Sequence, residues 1–534
     1  MLKTVHCSRY VYVVVSAIAL WACSEETQSV VPALLDDPVW PESDDNLSFC
    51  ESDGGLLPDL PELNPPYGNV QFDQSAAQQP VGVSERIEVT FLDPEGKDVD
   101  KNIIGELRLE TDEFTFVEES GPIVEGRSEV VVRFETPGVH EIKGSIVHEE
   151  RRVGKIEYLA YDARIPIWNM TISDEDLDFI MENPGERHKV SCVLTIDGVS
   201  YLSLVRIHGG SSRYYRKKSF RFDLASGLTL PNGSNHLILR AEWADKSLLR
   251  NYLGFEMFHQ GTWLAASETE IVHFRINDRY YGVMWHVERV DGDFLRSRGM
   301  NPEGSMYEAD PEPEFWVPGG NLTPLRRDDL YPHVYDHKKG NIVYDDLIVL
   351  IEDTLQRSSK RFNQTILEEV NVNDVLVYIA ANAVFQNHDH IKKNYYLYRD
   401  PVGSDTRWTI IPWDLDLTFG HLWTPEDDIL SEEMFFDGSL YMGEEVPEHS
   451  YYNQLISRLL GVPEFEDRFL DYVDYLADNV LTRDFIDKRI EHILCLAGRD
   501  ILADPRKRAS NEEYLDRVDE LRLFVEKRRE FILP

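Results

Sequence analysis

The spacing of hydrophobic positions changes character along the chain. From about Asn69 to Tyr161 apolar and polar residues alternate. RIEVTFLDPEGK, ELRLETDEFTF, SEVVVRFETPGVHEIKGSIV and KIEYLAYD read as short strands between turns. That pattern predicts an all-β sandwich of immunoglobulin-like type over 67–162, with no catalytic cluster in it. From Arg164 the periods mix. IPIWNM predicts a strand and DEDLDFIMENP a helix, capped by Ser173 with Asp176 three residues on. KVSCVLTIDG and VSYLSLVRIHG are strands, and HFRINDRYYGVMWHVERVDGDFL is a hairpin turning at Asn277-Asp278. ADKSLLRNYLGFEMFHQGT predicts an amphipathic helix with Asp245 as its N-cap, and VNVNDVLVYIAANAVFQ a strongly apolar one. Residues 310–345 read as an irregular insertion or flap.

After Ser450 the period is helical throughout. YNQLISRLLG, EFEDRFLDYVDYLADNVL, RDFIDKRIEHILCLAG and EEYLDRVDELRLFVEKRREFIL predict a helical C-terminal lobe. The fold class expected is therefore α+β, an all-β unit followed by a mixed unit over 163–534. The first 23 residues read as a secretory signal, with Lys3 and Arg9 flanking an apolar core too short to span a bilayer. Its end, Leu-Trp-Ala-Cys, resembles the bacterial lipobox, which puts a lipid on Cys23. Ser24 resembles the pattern sorted to the outer membrane. Residues 24–66 are rich in Pro, Asp, Glu and Ser and read as a flexible tether. The expected location is the bacterial cell envelope, lipid-anchored.

A net charge of −42 over 534 residues excludes nucleic acid and anionic lipid as partners of the general field. It suits a basic protein partner or divalent cations. Cys50, Cys192 and Cys495 remain after the signal region. They allow one disulfide with no pair identified, and buried free thiols equally.

The chemistry concentrates in NHDHIKKNYYLYRDPVGSDTRWTIIPWDLDLTFG. Tyr395–Arg399 and Trp408–Pro412 predict a hairpin. It brings Asp389 and Asn394 to the same end as Asp414 and Asp416. Hard oxygen ligands converging in this way suit Mg²⁺ or Mn²⁺. Capping explains each residue alone, but not all four at one hairpin end. A second stretch, GGSSRYYRKKSFRFDL, sets Arg213, Arg216, Lys217, Lys218 and Arg221 behind Gly209, Gly210, Ser211 and Ser212. Small residues admit a phosphate to backbone N–H groups, and the cations neutralise it. Alternation from Phe220 and Phe222 turns Lys218 inward and Lys217 outward. An inward lysine needs an anionic partner, and Glu288 is the candidate.

Asp389 and Asn394 carry the Asp-x₄-Asn spacing of a protein-kinase catalytic loop, and Asp414 follows across a hairpin as the metal-binding Asp does. No His-Arg-Asp triplet and no G-x-G-x-x-G loop is present, so this is no ordinary protein kinase. RIHGGSSRYYRKKSFRF, LRAEWADKSLLRNYLG, RINDRYYGVMWHVERVDGDFL, NHDHIKKNYYLY and IIPWDLDLTFG resemble the spore coat protein H (CotH) kinase family from about Ile165 onward. The resemblance implies a divergent protein-kinase-like fold and transfer of the ATP γ-phosphoryl group to Ser or Thr of exported proteins. It implies Asp389 as base, Asp414 as main metal ligand, and Asn394 and Asp416 assisting. It puts Lys218 and Arg206 on the nucleotide, Glu288 as the partner of Lys218, and the turn at Gly210, Ser211 and Ser212 near the phosphates. The cofactors implied are ATP with Mg²⁺ or Mn²⁺. The alternative is a non-catalytic surface protein on a kinase-like scaffold.

Overall fold

The computed structural model describes residues 39–41 and 67–533, less 69, 73–77, 94, 96, 147–151, 313–314, 316–318, 342, 425–428, 432 and 445–451. The signal segment and nearly all of the tether lie outside the described residues. The exception is Trp40, which does not hang free. Its ring stacks on Tyr475 at 3.6 Å and meets Trp263 and Tyr472 edge-on, each at 5.4 Å. A tryptophan in a polar stretch thus finds an aromatic slot that composition does not reveal.

The alternating segment forms two sheets. In one, Ser84–Phe91 pairs antiparallel with Arg127–Phe134, flanked by Val70–Phe72 and Thr115–Ser120. In the other, Gly138–Ile146 lies antiparallel between Arg152–Tyr161 and Gly105–Glu110. Inward residues of both, among them Val89, Phe91, Val132, Phe134, Ile142 and Ile156, share one core. Period-2 alternation puts every second side chain there.

The following strands close into a seven-stranded barrel in the order Ile167–Thr171, Val190–Ile196, Val199–His208, Ser219–Leu224, His236–Arg240, Arg279–Val287, Thr269–Ile276. Six contacts are antiparallel, and the seam between Ile167–Thr171 and Thr269–Ile276 is parallel. Asn277 and Asp278 turn the hairpin at φ 50° and 62°, as a primed turn requires. The barrel is filled by Val205, Ile207, Phe220, Phe222, Leu239 and Phe274. Buried polar groups lock the two-sheet unit to it. Arg275 pairs with Glu85, and Tyr161 donates at 2.6 Å to Asp500, a residue of the Arg483–Ala503 helix that also bonds the barrel's His273.

A four-stranded antiparallel sheet follows, ordered Tyr335–Lys339, Ser305–Ala309, Tyr395–Arg399, Thr409–Pro412. One of its edge strands comes from the stretch read as an irregular flap. The helix Val372–Val384 is buried on nearly every side, as its all-round apolar sequence demands. Gln454–Leu460, Pro463–Asn479, Arg483–Ala503 and Asn511–Ile532 form as helices where the helical period ran. The helix expected from Asp245 starts at Arg250 instead. Asp245 accepts the backbone N–H groups of Ser247 and Arg250, and its carboxylate also binds the Arg250 guanidinium. Cys495 is disulfide-bonded, and Cys192 is a buried free thiol.

Candidate active site

The Val372–Val384 helix delivers the chain to a tight loop. Asn387 accepts the Asp389 N–H at 3.0 Å and donates to Asn382 at 2.8 Å. Asn394 takes a left-handed backbone, φ 64°, which asparagine tolerates best after glycine. Its N–H donates to the Ala309 carbonyl and its own carbonyl accepts from Trp413, so it ties the loop to both neighbouring strands. Asp414 sits at φ 53°. The Leu415 N–H then donates to the Asn251 side chain at 3.0 Å, and Gly254 lets the Arg250–Gly261 helix approach. A Cβ at Gly254 would come within 2.6 Å of Leu415 Cβ. Left-handed non-glycine residues at Gln386, Asn394, Asp414 and Phe419 gather around one site, where backbone strain accompanies function.

Asp389 Oδ2 accepts from Asn394 Nδ2 and pairs with Lys393 Nζ, both at 2.9 Å. Opposite, Arg240 at the end of its barrel strand reaches three carboxylates. Its guanidinium lies 2.6 Å from Asp414 Oδ1, 3.0 Å from Asp416 Oδ2 and 2.8 Å from Glu242 Oε1. Glu242 in turn accepts from Asn251 at 3.0 Å. Burial holds Asp389 above the usual aspartate range; Lys393 and Asn394 oppose that and Asp414 adds to it. Burial, then the charges of Asp414, Glu242 and Asp389, hold Asp416 well above its ordinary value despite Arg240. Burial alone would pull Lys393 down, but Asp389, Asp414 and Asp416 outweigh it and hold it up. The four carboxylates and two cations behave as one electrostatic unit.

A basic wall adjoins it. Arg206 and Arg221 are cross-strand neighbours on the outer barrel face, one row from His208 and Ser219. Burial, then the charges of Arg221, Arg187 and Arg213, push Arg206 down to about 10. Burial and the Arg240, Arg206, Arg221 and Arg213 charges keep His208 neutral, well below its ordinary value. Gly210, Ser211 and Ser212 belong to the bend that carries Arg213, whose guanidinium holds the Gly209 and Gly185 carbonyls.

Two expected positions are corrected. Lys218 does not point inward. Its Nζ donates to the Arg213 carbonyl at 2.8 Å, and among the described residues it has no carboxylate partner. Lys217 is the buried one, 2.6 Å from Asp504 Oδ2 with both side chains fully enclosed. The strand begins at Ser219, so its alternation does not extend back to either lysine. Glu288 pairs with Arg298 at 2.7 Å rather than with Lys218, and lines a different cavity. Arg240, Glu242 and Lys393 were given no role by sequence reasoning, whereas Asn251, expected with Arg250 to pair with neighbouring segments, does so through Glu242 and the Leu415 N–H. Lys393 alone left a local signal, four residues after Asp389.

Among the described residues no three His, Cys, Asp or Glu side chains gather closely enough to hold a metal ion. Mg²⁺ carried with a nucleotide needs only one or two carboxylates, the phosphates and water supplying the rest. Asp414 and Asp416, hard oxygens whose charges repel, meet that smaller demand.

The model of the CotH kinase protein family matches residues 205–532. The inner spore coat protein H of Bacillus subtilis (strain 168) is 23% identical over 377 residues, covering 69% of this chain and 97% of that protein. Among solved structures, the complex of the Shewanella oneidensis MR-1 toxin–antitoxin proteins HipA and HipB with operator DNA aligns at 13% identity. It covers 75% of this chain and 74% of its own, with a TM-score of 0.27 that carries no argument about the fold. That match spans more than half of the chain, and the chain belongs to the CotH kinase protein family.

Proposed function

We propose that this protein is an atypical kinase that transfers the ATP γ-phosphoryl group to a serine or threonine hydroxyl of an exported protein. The observation that carries the reading is the convergence of Asp389, Asp414 and Asp416 on one electrostatic unit faced by Arg240. Bound ATP with Mg²⁺ or Mn²⁺ supplies the phosphoryl donor and screens its charge. Asp414 and Asp416 hold the cation, with Asn394 assisting. Asp389 accepts the acceptor hydroxyl proton as the new O–P bond forms and the bond to the β-phosphate oxygen breaks, releasing ADP. Asn394 and Lys393 hold its carboxylate in place and oppose the rise that burial causes. Arg206, with the turn at Gly210, Ser211 and Ser212, meets the phosphates, and Lys218 joins them by giving up its bond to the Arg213 carbonyl. Chemistry of this kind is mainly positioning and charge neutralisation, which these groups provide.

The Cys495 disulfide supports an oxidising location, as does the spore coat name of the relative. The reading includes export, a lipid on Cys23 in the envelope, an immunoglobulin-like unit over 67–162 and the kinase unit over 163–534. One observation favours a second reading, a surface binding protein without turnover: Arg240 already satisfies both Asp414 and Asp416. The test is incubation with radiolabelled ATP and Mg²⁺ or Mn²⁺, with and without a protein acceptor. Label in protein, stable to dialysis, supports the kinase. A nucleotide-dependent thermal shift without any label supports the second reading, and neither signal removes both.

A further inference from the structure

Trp40 seats in the slot of Trp263, Tyr472 and Tyr475, while Val39 beside it stays exposed. Two walls of that slot are bonded onward. The Trp263 indole N–H donates to Asp374 Oδ1 at 2.7 Å, and the Tyr472 hydroxyl donates to Asn373 Oδ1 at 3.0 Å. Asn373 and Asp374 stand in the first turn of the Val372–Val384 helix, which ends five residues before Asp389. The other oxygen of Asp374 accepts from the Thr409 hydroxyl at 2.6 Å. Thr409 opens the strand that ends at Pro412, two residues before Asp414.

This helix and strand are joined as one piece. The Asn371 N–H donates to the Trp408 carbonyl at 2.8 Å, and the Trp408 N–H to the Glu369 carbonyl at 2.9 Å. Asp374, itself buried, closes the same junction with both oxygens engaged. A buried carboxylate deprived of a donor is costly, so the junction is sharply defined. The piece carries Asp389 beyond the helix and Asp414 beyond the strand. The slot fixes it to two further elements. Trp263 follows the Arg250–Gly261 helix, whose Asn251 holds the Leu415 N–H, and Tyr472 and Tyr475 lie on the Pro463–Asn479 helix. The Trp40 indole is the packing that sets the Trp263 and Tyr472 rings, and those rings set Asn373 and Asp374. A displacement of about 1 Å at reacting groups can cost about 100-fold in rate, even from a distant cause.

We propose that Trp40 is a positioning residue for phosphoryl transfer: seated in its slot, it holds the Val372–Val384 helix and the Thr409–Pro412 strand where they bring Asp389 and Asp414 into one site, and its withdrawal slows transfer. The turnover part rests on the kinase reading, and the positioning part does not. The test uses the full chain, below the melting onset of every variant. It measures single-turnover label transfer, nucleotide affinity, and amide hydrogen exchange over residues 385–394. Trp40→Ala is expected to slow transfer about tenfold with nucleotide affinity unchanged, and to speed exchange over 385–394. Trp40→Phe, which keeps a ring in the slot, is expected to stay near the wild type. Trp263→Phe combined with Tyr472→Phe keeps every ring and deletes only the two bonds to the helix. That pair is expected to match the loss in Trp40→Ala, and adding Trp40→Ala to it to slow transfer little further. With an active wild type, the proposal is overturned by full transfer in Trp40→Ala, by an equal loss in Trp40→Phe, by a loss that lies in nucleotide affinity, or by losses that multiply when combined. With an inactive wild type the kinase reading fails, and exchange decides the positioning part. Faster exchange over 385–394 in Trp40→Ala then supports it, and unchanged exchange overturns it.

Discussion

Arg240 and Asp414 stand 174 residues apart in the chain, yet the guanidinium lies 2.6 Å from the carboxylate and reaches Asp416 with its other terminal nitrogen. This one side chain joins the barrel to the acidic hairpin. Replacing it with glutamine leaves Asp389, Asp414, Asp416 and Glu242 repelling one another. Arg240→Gln is expected to lower stability by about 3 kcal/mol at most, because the Asp414 and Asp416 side chains are partly exposed. Phosphate incorporation is expected to fall by about 100-fold or more. Melting curves and label incorporation measure the two effects, and full activity in this variant would contradict the role given to Arg240.

The two adjacent lysines give opposite predictions. Lys217 is buried against Asp504 and the Val283 carbonyl. Lys217→Met leaves a buried carboxylate unpaired and is expected to cost about 3–5 kcal/mol. Lys218 is only partly buried, and Lys218→Met is expected to leave the stability within about 0.5 kcal/mol of wild type. Chemical denaturation of both variants measures this, and equal losses would return the inward position to Lys218.

Burial pushes the His390 imidazole down to about 4, while its Nδ1 stays bonded to the Asn387 carbonyl at 2.8 Å. His388 is likewise pushed to about 4 by burial. A histidine lowered in the folded state takes its proton first in the unfolded chain. Stability is therefore retained above the unfolded value near 6.5 and lost as pH falls from there toward 4. Each ring contributes a loss of about 3 kcal/mol at most across that window. His390→Gln is expected to flatten the decline between pH 7 and 4.5, read from urea midpoints at each pH. An unaltered slope would count against a neutral, buried His390.

Trp40 anchors the chain ahead of the two-sheet unit by stacking on Tyr475. Trp40→Ala removes that stack and two edge contacts, at an expected cost of about 1–3 kcal/mol. Limited proteolysis before residue 67 is expected to become faster. Cleavage at the wild-type rate would mean that Trp40 does not hold the segment in solution.

What could be read from the sequence was mostly local. Asp389, Asn394, Asp414 and Asp416 were legible as a group because one hairpin separates them, and Tyr395 pairs with Pro412. The C-terminal helices were legible from periodicity alone. Arg240 was not, because Asp414 and Asp416 are brought to it by tertiary packing. Lys218 was assigned by alternation in a bend where no strand had begun. The barrel seam between Ile167–Thr171 and Thr269–Ile276 joins segments about a hundred residues apart, and no local pattern announces such a pairing.

The most direct test is single-turnover transfer from radiolabelled ATP by the wild type and by Asp389→Asn, with nucleotide binding followed in parallel. Asp389→Asn is expected to bind nucleotide and metal as the wild type does and to leave protein unlabelled. Equal labelling by the two would contradict the assignment of Asp389 as the proton acceptor, and with it the account of the site.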